Sequence, residues 1–219
     1  MRFTLTLAIV TFSTVAFAQN ASVTAPSDRF QVTYAANLNA GDSYVDITNT
    51  GATTNIMPTS QTVGASLNLC ANVYTFDPAE ELVSCCTCTV TPNGLQSLSV
   101  LKSLISNPLT PAIPTSVVIK VVTTAGPVCN ASNVDPDYLA HGLLAWSTTL
   151  HQNTSIANGC LGSCKSYSLT EIPFSQAVLS TEELTHITTT CGFIQSNGSG
   201  FGICKGCAAG GLGGSASVQ

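Results

Sequence analysis

Between Leu67 and Val90 the chain reads LNLCANVYTFDPAEELVSCCTCTV, and four of its ten cysteines lie inside this stretch. The flanks carry the Val, Tyr, Phe and Thr that pleated sheets favour. The middle, Asp77-Pro78-Ala79-Glu80-Glu81, carries proline and acids that leave strands readily. The pattern predicts a β-hairpin held by disulfides. If Phe76 faces Leu82 across the turn, Cys70 falls opposite Cys88. Neighbouring strand residues point to opposite faces, so Cys86 shares a face with Cys88 while Cys85 points away. The hairpin therefore predicts Cys70 bonded to Cys88 or Cys86, with Cys85 tied elsewhere.

The full set, Cys70, Cys85, Cys86, Cys88, Cys129, Cys160, Cys164, Cys191, Cys204 and Cys207, is even in number and allows complete pairing, although spacing alone leaves the connectivity open. Such a set calls for an oxidising compartment. The first eighteen residues, MRFTLTLAIVTFSTVAFA, answer that need: Arg2, an apolar run and Ala16-Phe17-Ala18 read as a secretory signal with an A-x-A cleavage site. The run is too short to span a bilayer, and no later segment is long and apolar enough, so no membrane span is expected. The reading is of a secreted chain with four parts: signal 1–18, mobile lead-in 19–28, a single β-rich domain 29–207 and a glycine-rich tail 208–219.

Charge narrows the partners. Lys and Arg number 6 against 11 Asp and Glu, for a net charge of −5. The cations after Arg2, namely Arg29, Lys102, Lys120, Lys165 and Lys205, stand apart from one another. Nucleic-acid binding needs a basic stripe that displaces counterions, and none is present in the sequence.

Along the domain, Phe30-Gln31-Val32-Thr33-Tyr34 and Tyr44-Val45-Asp46-Ile47-Thr48 alternate apolar and polar as half-buried strands do. Residues 51–66 read as a surface connection or weak edge strand. After the hairpin, Leu95, Leu98, Leu101 and Leu104 or Ile105 recur at helical spacing, which predicts a short amphipathic helix or 3₁₀ stretch closed by Asn107-Pro108. Pro108, Pro111 and Pro114 make an extended connector. Thr115–Thr124 places Val117, Ile119 and Val121 on one apolar face and reads as a central strand. Asp135-Pro136-Asp137 predicts at most one helical turn, followed by strands at 144–150 and 167–172. The clearest helix covers about 181–196: Ser180 and Glu183 form a capping box, Leu179 and Leu184 a hydrophobic staple, and Asn197-Gly198 a left-handed stop. The fold class is mainly β, a disulfide-stabilised antiparallel sandwich of about seven strands with one or two short helices, a barrel being the alternative.

Catalytic patterns are weak. The spacings Cys160-x-x-x-Cys164, Cys204-x-x-Cys207 and Cys85-Cys86-Thr87-Cys88 would suit a soft metal, but export favours disulfides before metal capture. Glu183 and His186 lie on one helix face, a unit that di-iron proteins use twice and that occurs here once. No G-x-S-x-G elbow frames a serine nucleophile. Asp46, Asp77, Glu80 and Glu81 would serve glycoside cleavage only by converging in space. The sequence therefore assigns no catalytic, metal or cofactor residue. Trp146 is assigned to the core, the alternative being an exposed aromatic on which a glycan- or protein-binding module would hinge. The sequons at Asn20, Asn130, Asn153 and Asn197 matter only in a eukaryotic secretory pathway.

LCANVYTFDPAEELVSCCTCTVTPNGLQSLSV, with SGFGICKGC near the end, is similar to a group of uncharacterised secreted cysteine-rich bacterial proteins. That resemblance implies a bacterial exported protein with idle sequons and lends no catalytic residues. Tyr44–Gly51, YVDITNTG, resembles the opening strands of extracellular β-sandwich and fibre-forming surface proteins. The expected function is a secreted structural or adhesive protein of the cell surface or extracellular matrix. Its candidate partners are copies of itself or an extracellular glycan or protein. Self-assembly would add the segment Phe30, Val32 and Tyr34 to a neighbour's sheet edge. The alternatives are a secreted hydrolase or carbohydrate-active enzyme and a glycan- or protein-binding module.

Overall fold

The computed structural model describes residues 27–51, 68–125, 128–153 and 166–207. The signal, most of the lead-in, the connection after Gly51, Cys160, Cys164 and the tail lie outside them. Nine strands and one α-helix make up the described fold: β1 (Ser27–Ala35), β2 (Tyr44–Asn49), β3 (Leu69–Phe76), β4 (Leu82–Val90), β5 (Leu95–Ser99), β6 (Val117–Thr124), β7 (Leu143–Asn153), β8 (Ser166–Pro173), β9 (Ser175–Ala177) and α1 (Thr181–Ser196). They form two antiparallel sheets, a first of order β4-β3-β6-β1-β9 and a second of order β5-β2-β7-β8. The sheets do not close into a barrel; the sandwich is the correct alternative. Phe174, buried between β8 and β9, is the corner at which the chain crosses from the second sheet to the first.

Two apolar clusters divide the first sheet by side-chain parity. Val45, Ile47, Ala71, Val73, Val117, Ile119 and Val121 meet between the sheets. On the other side of the first sheet, Phe30, Tyr74, Phe76 and Val122 meet Leu184, Ile187, Cys191 and Ile194 of α1. The molecule therefore has three layers, and β6, with both faces covered, is the middle strand of the larger sheet. Burying each Leu or Ile of the helix contributes roughly 1.5–3 kcal/mol.

The helix forms where its sequence signals place it. The Ser180 hydroxyl accepts from the Glu183 N–H at 3.1 Å, Leu179 packs in the same cluster as Leu184, and Gly198 at φ +84° ends the last turn. The capping box is only half made, because the Glu183 carboxylate pairs with Lys120 of β6, whose ammonium also lies 4.5 Å from the centre of the Phe76 ring. Glu182 takes the local role: hydrogen bonds from its own backbone N–H and from Ser180 hold its carboxyl below the usual carboxylate range.

The stretch predicted as a helix at 95–105 is mostly strand. Leu95–Ser99 pairs with β2, burying Gln96 and Leu98 at strand period, and a single π-type turn at Val100–Leu104 follows. The apparent helical spacing of the leucines arises because a strand and a tight turn each bury a part of it. The turn is anchored by Asp42, whose carboxylate accepts from the Leu101 N–H at 3.0 Å and from the Ser99 hydroxyl. The short turn at Asp135-Pro136-Asp137 forms as one turn of 3₁₀ helix, and the next strand runs further than 144–150.

Candidate functional site

The two sheets end differently on their outer sides. On β2, Val45, Ile47 and Asn49 are buried while Tyr44, Asp46 and Thr48 point outward. On β5 the outward residues are Leu95 and Ser97. Register then assembles one face: Asp46 lies between Trp146 of β7 and Ser97 of β5, Tyr44 lies beside Thr148, and Thr148 lies beside Glu171 of β8. Trp146 is half-buried on this outer face and does not belong to the core assigned to it from sequence. Tyr44 is 42% exposed and Leu95 54%. The Thr148 hydroxyl donates to Asp46 Oδ2 at 3.4 Å, which orients that carboxylate. With strands about 4.8 Å apart and a two-residue offset along them, Asp46 and Glu171 flank the Trp146 strand at roughly 12 Å. Two aromatic side chains, neighbouring hydroxyls and two carboxylates thus share one solvent-facing surface.

The hairpin cysteines serve other parts of the molecule, the helix side and the space between the sheets. Among the described residues, four disulfides join Cys70 to Cys129, Cys85 to Cys191, Cys86 to Cys204 and Cys88 to Cys207. The predicted partner of Cys70 is corrected, and the cause is one residue. Phe76 does face Leu82, but the register shifts between Thr75 and Phe76, so Thr75 faces Ser84 and Cys70 comes opposite Thr89. This bulge places Cys70 on the helix-facing side, away from Cys88. Cys85 is tied elsewhere, as alternation requires: it holds α1. Cys86 and Cys88 point between the sheets and hold residues 201–207 against the free edge of β4. There the Phe201 N–H donates to Cys85 O at 3.1 Å and the Cys204 N–H to Thr87 O at 3.0 Å. Gly200, at φ +67°, lets the chain approach, since a Cβ there would lie 2.9 Å from Cys85 O.

The segment singled out for strand addition is β1, paired along Phe30–Ala35 with β6 and at three positions with β9. Phe30 and Val32 face α1, and Tyr34 is 57% exposed. The polar residues of the alternation point between the sheets instead. Gln31, buried, donates to Leu143 O at 2.9 Å and accepts from the Ala145 N–H at 3.3 Å, completing hydrogen bonds of β7 beyond its pairing with β8.

One cluster has no signal in the sequence, because its members are 112 to 114 positions apart. Asp28 accepts from His141 Nδ1 and, at 2.8 Å, from the Gly142 N–H, while Arg29 Nε donates to His141 Nε2 at 2.7 Å. In an Asp–His catalytic pair the outer nitrogen takes the nucleophile's proton. Here Arg29 occupies it, so the cluster clasps the start of β1 to the 139–142 loop.

The acidic candidates do not come together. Asp46 lies on the second sheet, whereas Asp77, Glu80 and Glu81 form the β3–β4 turn, in which Asp77 Oδ1 accepts from the Ala79 and Glu81 N–H groups. Glu183 is spent on Lys120, and His186 lines a shallow groove on the exposed side of α1 with Glu182 and Thr189. Cys88, Cys204 and Cys207 bring their sulfurs within 4.8 Å of one another, but each is bonded in a disulfide. Among the described residues no helix is long and apolar enough to cross a membrane. No protein-family profile, curated protein or solved structure matches the chain.

Proposed function

We propose that this chain is a secreted adhesive or structural protein of the cell surface or extracellular matrix, and that it holds extracellular polysaccharide on the open face of its second sheet. The observation that carries this reading is the row of Tyr44, Asp46, Trp146 and Thr148 on a surface that no described element covers. A pyranose presents an apolar C–H face that stacks on an aromatic ring and a rim of hydroxyls that bond to carboxylates and hydroxyls. An open sheet face offers both over several sugar units. Aromatic side chains give large contact area at low entropic cost. The disulfides support the compartment, since such bonds persist where the medium is oxidising. Sedimentation with cellulose, chitin and cell-wall glycan tests the reading: one of these should retain the wild type, and Trp146→Ala should release it while the thermal midpoint barely moves. Retention by none, or retention unaffected by Trp146→Ala and Tyr44→Ala, would sink it.

A second reading is favoured by the position of β1. It is the first described strand, its inner neighbour β6 pairs along its length, and its outer neighbour β9 has three residues. Exchange of β1 between copies would keep every one of these contacts in trans and build filaments. Deleting residues 19–36 should then abolish polymers and leave an oxidised domain that accepts the missing peptide. A full-length chain that stays monomeric at high concentration excludes it.

A further inference from the structure

The four cysteines that hold the C-terminal segment are arranged for more than two fixed bonds. Cys204-Lys205-Gly206-Cys207 is a tight turn, in which the Cys207 N–H donates to Cys204 O at 3.1 Å and Gly206 supplies a left-handed φ of +92°. A turn of this kind brings its end Cα atoms within about 7 Å, inside the range a disulfide spans. Its two sulfurs already lie within 4.8 Å of each other and of Cys88 Sγ. Each is nonetheless bonded across to β4, Cys204 to Cys86 and Cys207 to Cys88. Burial sets the order of attack, because Cys86, Cys88 and Cys204 are enclosed while Cys207 is partly exposed.

We propose that Cys86, Cys88, Cys204 and Cys207 form a thiol–disulfide exchange site that takes a dithiol reductant and closes the C-x-x-C turn on itself. A thiolate of the dithiol attacks Cys207 Sγ, forming a mixed disulfide and expelling the Cys88 thiolate. The second thiol of the reductant attacks its own sulfur in that mixed disulfide, which closes the oxidised reductant and frees the Cys207 thiolate. Cys207 then attacks Cys204 Sγ across the turn, forming the Cys204–Cys207 bond and expelling the Cys86 thiolate. Two electrons leave the dithiol, its two protons end on Cys86 and Cys88, and two disulfides become one disulfide and two thiols. The product no longer ties residues 201–207 to β4, so the backbone of Cys85–Thr87 loses the covalent hold on its cover. The Cys70–Cys129 and Cys85–Cys191 bonds take no part. This inference is independent of the polysaccharide reading, since it concerns cysteines at the edge of β4 and no residue of the open face.

The test is graded reduction of the oxidised, folded protein with dithiothreitol, followed by alkylation and non-reducing peptide mapping. Trypsin cuts after Lys205 and chymotrypsin after Phe193 and Phe201, which separates Cys204 from Cys191, so with both proteases a bond within the turn appears as two short peptides joined by a disulfide. The expected first product carries alkyl groups on Cys86 and Cys88 together with the Cys204–Cys207 link. Labelling of Cys88 and Cys207 with Cys86–Cys204 retained would overturn the proposal. So would four free thiols with no Cys204–Cys207 link at any dose. The double variant Cys88→Ser/Cys207→Ser removes the relay, and opening Cys86–Cys204 should then take about tenfold more reductant than in the wild type. Opening at the same dose would also overturn it.

Discussion

The two sheets of this sandwich present alternating strands of similar composition, yet one outer face is roofed and the other is bare. On the first sheet, Phe30, Tyr74, Phe76 and Val122 face outward and are covered by α1, which Cys85–Cys191 fixes in place. On the second, Tyr44, Asp46, Trp146 and Thr148 face outward with no described element over them. The difference lies in the side chains that each sheet turns outward. A run of large apolar residues on an outward face needs a cover, and Cys85 of β4 supplies a covalent anchor for one. The mixed face of Thr, Ser, Asp and isolated aromatics is stable against water and leaves its aromatic groups available to a ligand.

The contrast can be broken first at the anchor. Cys85→Ser/Cys191→Ser should cost about 3 kcal/mol in urea denaturation. The neighbouring Cys86–Cys204 bond already closes most of the span, so only an additional loop of about fifteen residues is released. A loss near zero would mean that packing alone holds the helix. Next comes the packing itself: Leu184→Ala should cost about 2–3 kcal/mol as a buried truncation, whereas Leu95→Ala on the bare face should stay within about 0.5 kcal/mol. Equal effects would erase the distinction between the faces.

A smaller effect sits under the roof. Tyr74 is fully buried and its hydroxyl donates to Ala131 O at 2.7 Å, and burial pushes its phenol well above the ordinary tyrosine range. The folded state therefore keeps its proton at a pH where the unfolded chain has lost it. This contribution is fully present below about pH 10 and declines above it, by up to about 1.4 kcal/mol per pH unit. Tyr74→Phe should cost about 1 kcal/mol at neutral pH and flatten the decline between about pH 10 and 11. A decline unchanged in the variant would place its origin elsewhere. Smallest in stability is Trp146→Ala, expected to cost about 1 kcal/mol or less while polysaccharide retention disappears.

What was legible in the sequence was local. Ser180, Leu179, Leu184 and Gly198 lie within one helix and its caps, and the helix occupies Thr181–Ser196 as those signals require. Strand alternation correctly separated Cys85 from Cys86 and Cys88. It failed for Cys70 because one extra residue near Val83 inverts every later pairing in the hairpin, and a bulge leaves no mark in composition. Residues 95–105 misled because leucines three apart suit a helix as well as a strand that runs into a turn. The open face was invisible for another reason. Tyr44, Asp46 and Trp146 become neighbours only through the β2–β7 register, and a lone tryptophan in an apolar strand reads as core.

The most direct test of the claim that the bare face is the contact surface is hydroxyl-radical footprinting with the polysaccharide that retains the protein. Tyr44 and Trp146 report on the second sheet, while Tyr34, 57% exposed, and Phe193, 60% exposed, report on the roofed side. The account predicts that bound polysaccharide lowers labelling of Tyr44 and Trp146 several-fold and leaves Tyr34 and Phe193 unchanged. Protection of Tyr34 or Phe193 with Tyr44 and Trp146 still fully labelled would contradict it.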